Sequence, residues 1–405
     1  MTDTPPATRR QPVPRGLAAD GPAILSYGFR PFFLGAGGFA VLAMTLWIGA
    51  LTLGWDIGGS YGALNWHAHE MLFGYGTAAL AGFMLTAIPN WTGRLPVAGR
   101  PLLGLVLVWV AGRLVMLAPD AIGLPAALVI ESAFLPLLAL AAGREIVSGR
   151  NWKNLKILAG LTGLLLANAG FHVSVVVCGS APDASRVAVA IYVLLVALVG
   201  GRIVPSFTRN WLARAGAAKL PQPFGRFDIA ALVVLLVASL AWAIAPLGVA
   251  TAVLALAAAA IHAIRLWRWR GWATLEEPLL FGLHTAYACI PLGLAAVAAA
   301  ALGALSPASA LHVLTVGVIG NMTLAVMTRA SRGHTGRPLA ASKRTALSYL
   351  ALLLATVSRP FAEILPDHYH LLLGASAACW LIGFGLFLAE YGPMLVSRTA
   401  KARAA

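Results

Sequence analysis

The chain carries nine histidines and fourteen acidic residues in a background that is 60% hydrophobic and only 11% charged. Those set inside apolar runs are the ones that could do chemistry. The run from Asn65 to Trp91 opens with His67, His69 and Glu70. A histidine in hydrocarbon loses its hydration, so it persists where a hydrogen bond, an ion partner or a metal replaces the lost water. On a regular helix, positions i and i+2 project about 200° apart. His67 and His69 are therefore expected to serve two neighbouring sites rather than grip one ion. The plainer alternative is that each hydrogen-bonds a neighbouring helix near the membrane interface.

The other buried histidines sort by depth, at about 1.5 Å per helical residue. His312 opens a later apolar run, and His172 comes late in an earlier one that travels the opposite way. With His67 and His69 they form one level in the outer third of the membrane. Four imidazoles at one level point to a metal centre, since neutral imidazole is a common ligand of haem iron and copper. Toward the inner side, His284 enters its run early with Tyr287 one turn on, and His334 falls in the loop from Gly333 to Arg337. A second centre or a polar gate could form there. His262, beside Arg265, Trp267 and Trp269, reads as an interfacial residue, and His368 and His370 as solvated ones.

Three charges lie deep in apolar runs: Glu70, Arg113 and Glu131. Glu70 is placed to orient a metal-bound imidazole. Glu131, near mid-membrane, is the better proton relay, and these two carboxylates are the catalytic candidates. An ion pair of Arg113 with Glu70 or Glu131 that only locks helices is the alternative. At the inner ends of three runs, Arg94, Arg209 and Arg329 are either positive-inside anchors or converge with Asn90 and Asn210 on an anion such as haem propionates.

Twelve apolar spans must position these groups: 31–54, 66–89, 101–118, 121–142, 155–179, 185–204, 227–248, 250–267, 278–302, 309–328, 345–365 and 370–391. The expected fold is an all-α polytopic membrane protein. Placing the N-terminus inside puts all but three of the 29 Lys and Arg residues in or beside cytoplasmic segments, the exceptions being Arg113, Arg186 and Arg359. Both termini are then inside, and the net charge of +15 is topogenic, with no call for a nucleic-acid partner. Residues 1–25, rich in Pro and Arg, read as a disordered cytoplasmic tail without a cleaved signal, 26–396 as the membrane domain and 397–405 as a second cytoplasmic tail. Three separated cysteines offer no CxxC or CxxCH, so any haem would be held non-covalently. Thr92, Thr208 and Thr328 close the second, sixth and tenth spans at intervals of roughly 120 residues, which suggests three blocks of four helices.

The histidines sit in longer blocks: FRPFFLGAG from Phe29, NWHAHEMLFGYGTAALAGFMLTAIPNWTGRLP from Asn65, GRIVPSFTRNWL from Gly201, LHTAY from Leu283, and ALHVLTVGVIGNMTLAVMTRASRGHTGRPL from Ala310. These resemble the NnrS family over nearly the whole chain. The resemblance implies a bacterial inner-membrane protein with haem and copper, linked to nitric oxide response and denitrification, with His67, His69, His284, His312 and His334 in the family's blocks. The expectation is a haem b protein, with a second metal that is either another haem or copper, that binds and reduces nitric oxide with electrons from a quinol or a redox protein. A twelve-helix proton-coupled transporter, or a non-catalytic haem protein that senses or buffers nitric oxide, are the alternatives.

Overall fold

The computed structural model describes residues 21–398. Among these described residues twelve helices are long and apolar enough to cross a membrane: α1 (Phe29–Leu53), α2 (Ala63–Thr92), α3 (Arg100–Leu117), α4 (Leu124–Ser148), α5 (Trp152–Cys178), α6 (Pro182–Arg214), α7 (Arg226–Ile244), α8 (Val249–Trp267), α9 (Pro278–Ala301), α10 (Pro307–His334), α11 (Lys343–Ile364) and α12 (Pro366–Val396). No strand occurs among the described residues. The chain is a polytopic membrane protein. "Outer" and "inner" below follow the orientation expected from the charge distribution. Residues 1–20 and 399–405, the bulk of the two expected tails, fall outside the described residues.

Local sequence explains where the helices start and stop. Proline stands in the first turn of α3, α6, α9 and α10, where its missing N–H costs nothing. Glycine ends α1 and α2 in the left-handed conformation, at Gly54 (φ 69°) and Gly93 (φ 73°). Several helices outrun their expected spans. α6 continues through Pro205 to Arg214 and α10 to His334, because polar residues at the inner ends extend the helix beyond the hydrocarbon instead of breaking it. Hydropathy reports the apolar length only. Thr92, Thr208 and Thr328 each donate to the carbonyl four residues back, but only Thr92 ends its helix, the other two standing six residues before Arg214 and His334.

α2, α6, α9 and α10 are the most buried spans. Around them α1 packs on α2 and α12, α11 on α12, α5 on α6, and α8 on α7 and α9. Large apolar side chains such as Leu107, Leu140 and Ile244 face outward, as a lipid solvent requires. Arg30 of the FRPFF block is buried and donates to the carbonyls of Met394, Leu395 and Ser397, satisfying the C-terminal end of α12.

Two helices are irregular where they matter. α2 is α-helical through His69 and π-helical from Glu70 to Tyr75, and α10 is α-helical through His312 and π-helical from Val313 to Gly320. π turns are rare and concentrate at functional sites.

Candidate metal centre

His67 and His69 precede the π turn of α2, so the angular separation of i and i+2 holds, and the two imidazoles enter different surroundings. His69 is fully buried in a hydrogen-bonded network. Its Nδ1 lies 2.9 Å from Glu70 Oε1 and its Nε2 2.9 Å from Asn168 Oδ1. Arg113, on α3, donates to Glu70 Oε1 and to Glu131 Oε1, both at 2.6 Å. The second oxygen of Glu131, on α4, accepts from Asn168 Nδ2 at 2.9 Å and from His172 Nε2 at 2.8 Å, both on α5. Tyr61 closes the chain, its hydroxyl 3.0 Å from His172 Nδ1.

Donor and acceptor roles follow from this wiring. Asn168 turns its NH2 to Glu131 and its carbonyl to His69, so His69 faces an acceptor at each ring nitrogen and carries a proton on both. His172 donates from Nε2 to Glu131 and accepts from Tyr61 at Nδ1, which makes it neutral. Two carboxylates are then balanced by one guanidinium and one imidazolium. Such balance is what a buried site demands, since an uncompensated charge there is costly. His69, Glu131 and His172 also bring one ligand atom each within 4.8 Å of one another.

His67 lies on the other side of α2. Its ring stacks on Trp47 of α1, centroids 4.4 Å apart and planes 11° apart, and its Nδ1 is buried without a partner. It faces a cavity of about 620 Å³ with largely apolar walls, which His312 of α10 also lines. That volume falls within the range of about 300–1,000 Å³ usual for cofactor sites. His312 donates from Nδ1 to the Ala308 carbonyl at 2.7 Å, an arrangement that fixes the ring and leaves Nε2 as a free acceptor.

The remaining candidates do not join these two sites. His284 is buried on α9 with its Nε2 2.8 Å from Thr208 Oγ1; because that hydroxyl donates to Val204, His284 supplies the proton, and its own Nδ1 is buried without a partner. His334 ends α10 rather than lying in a loop, and stacks on Tyr27 with centroids 5.6 Å apart. Arg94 pairs with Glu145, Arg209 donates to the Pro221 carbonyl, and Arg329 lies over the Phe207 ring, so the three inner arginines have separate partners and none lines the histidine cavity. His262 is not interfacial: it is fully buried, with Nδ1 2.9 Å from the Tyr287 hydroxyl and Nε2 3.1 Å from the Ala231 carbonyl. Its neighbour Arg265 is equally buried and donates to Asp228, the Ala197 carbonyl and Tyr287. His368 and His370 are exposed, as expected.

Sequence reasoning missed Asn168, Tyr61 and Trp47. Asn168 had a signal, since it stands four residues before His172 and so shares its helix face. Tyr61 and Trp47 had none, because one precedes α2 in a short turn and the other sits among ordinary apolar residues of α1.

No curated protein matches the chain. The family model for NnrS protein matches residues 23–398, which takes in all twelve helices, both histidine sites and every block that carried the resemblance. The chain belongs to the NnrS family.

Proposed function

We propose that this chain is a metalloprotein of the bacterial inner membrane that binds nitric oxide at a haem b and reduces it with electrons from a separate donor. The observation that carries the reading is that His67 and His312, on two central helices, face one apolar cavity of cofactor size. These two residues would hold the iron. His312 is tethered through Ala308, whereas His67 is held by the face of Trp47 and has no hydrogen-bond partner at Nδ1. Haem iron supplies the affinity for a small diatomic and the redox chemistry.

The second site suits a single small ion. Two imidazole nitrogens and a carboxylate oxygen within 4.8 Å form a mixed N/O donor set of the kind that copper accepts. His69, Glu131 and His172 would hold such an ion, with Asn168 beside them. Glu70 then orients His69 through Nδ1, and Arg113 fixes both carboxylates.

Absorbance and metal analysis of folded single variants test the reading. His67→Ala and His312→Ala should each lose or shift the Soret band and keep the second metal, while His69→Ala and His172→Ala should do the converse. A colourless, folded wild-type protein sinks the haem assignment. Loss of the same single metal in His67→Ala and His69→Ala refutes two sites on opposite sides of α2.

A further inference from the structure

Three arginines break the positive-inside bias: Arg113, Arg186 and Arg359. Arg113 is taken up by the buried network. The other two, on α6 and α11, both line the histidine cavity. Each is mostly buried, with 18% and 12% of the side chain exposed. Neither is saturated. Arg186 donates from Nη2 to Asp183, whose carboxylate is itself largely exposed, and its Nε is buried with no partner. Arg359 holds Glu363 at 3.2 Å through Nη1. A guanidinium has five N–H donors in a planar fork suited to carboxylates, so both retain capacity.

An apolar cavity with two imidazoles in its wall and two arginines from separate helices in its lining matches an amphiphilic ring with a coordinating centre and two acidic arms. We propose that Arg186 and Arg359 clamp the two carboxylates of a tetrapyrrole that His67 and His312 would hold. This rests on the haem reading above and gives the ring its orientation, carboxylates toward the outer surface. A lipid phosphate would engage the same donors but would not need the histidines.

The test compares haem b with its dimethyl ester, which keeps the ring and iron and lacks both negative charges. Protein produced under haem limitation is titrated with each and followed by the Soret band. Wild type should prefer haem b by about tenfold or more, the effect of one or two charge-assisted hydrogen bonds. Arg186→Gln and Arg359→Gln should each reduce that preference several-fold. The double variant should abolish it, and Lys at either position should restore part. The ratio of the two affinities is insensitive to how much of a variant has folded. Binding of both compounds with an unchanged ratio in the variants overturns the clamp alone. Binding of neither by wild type overturns the haem reading and the clamp with it. Variants that lose phosphatidylglycerol but keep the ratio assign the arginines to lipid and also overturn the clamp.

Discussion

Replacing Arg113 with Met tests the charge assignment of the buried network. Met has similar length and leaves no cavity of consequence, but it withdraws two donors that lie 2.6 Å from Glu70 and Glu131. Both carboxylates are buried, so neither can recover the loss from water. Breaking a buried pair by removing one partner costs about 3–5 kcal/mol. Arg113→Lys should fall between, since a single ammonium cannot span two carboxylates as a planar fork does. The decisive variant is the double. If His69 carries two protons, Arg113→Met leaves the network with one excess negative charge, and adding Glu131→Gln returns it to neutrality. The double variant should therefore regain about 2 kcal/mol of the single variant's loss, a coupling of the size expected for groups in one network. Reversible unfolding in detergent, followed by tryptophan fluorescence, measures all three. A cost under about 1 kcal/mol for Arg113→Met, or a double variant worse than the single, would show that the carboxylates are not both ionised and would refute the balance.

Two further consequences concern backbone and loop. Gly74→Ala would place a Cβ 2.5 Å from Arg113 Nη1 and 2.7 Å from the Phe39 ring. It should destabilise by about 1–3 kcal/mol as an overpacked site and weaken the Arg113 to Glu70 pair, with unfolding in detergent as the measure and a neutral result as the refutation. Asp120, in the turn between α3 and α4, accepts from the Ser60 hydroxyl and from the Ser60 amide at 2.7 Å, and these bonds hold its carboxyl below the usual carboxylate range. A lowered value means that its contribution is full above the ordinary carboxylate pKa of about 4 and is lost as pH falls below that. Amide exchange of Gly59–Tyr61 should accordingly be faster in Asp120→Asn at neutral pH, and the difference from wild type should vanish only in acid; equal exchange at neutral pH would show that the turn does not depend on Asp120.

The histidines at one level, and the divergence of His67 from His69, were legible because helix geometry alone separates i from i+2 and because apolar runs set depth. Arg113 and the two glutamates were legible as a costly set of charges, but their joint wiring was not. It depends on Asn168, whose signal in sequence is its spacing of four residues from His172. The inner half was read less well. His262 and Arg265 looked like an interface belt, yet α8 turns both toward α7 and α9, where Asp228 and Tyr287 await them. Composition cannot say which side of a helix meets lipid. His334 was misplaced for a related reason, since the helix carries on after its apolar residues end. Arg186 and Arg359 were visible as exceptions to a charge rule, without anything in sequence to bring α6 and α11 to one cavity.

The two π turns connect these observations. Met71, Leu72 and Tyr75 from the π turn of α2, and Thr315, Val316 and Ile319 from that of α10, all line the histidine cavity. A π turn holds an extra residue, so it rotates the helix beyond it relative to the part before. In both helices the histidines come just before that rotation, and the Tyr75 hydroxyl, at the end of the first π turn, joins Thr323 just beyond the second. The π turn of α2 also has a second face. Glu70 begins it, Gly74 lets the Arg113 guanidinium approach the backbone, and the Gly74 carbonyl accepts from the Trp109 indole at 3.0 Å. One turn of helix thus forms a wall of the cavity on one side and anchors the charged network on the other. The groups before it cannot be moved independently: a shift of His67 toward the cavity carries the backbone of His69 and Glu70 with it, and the hydrogen bonds of the network resist that shift.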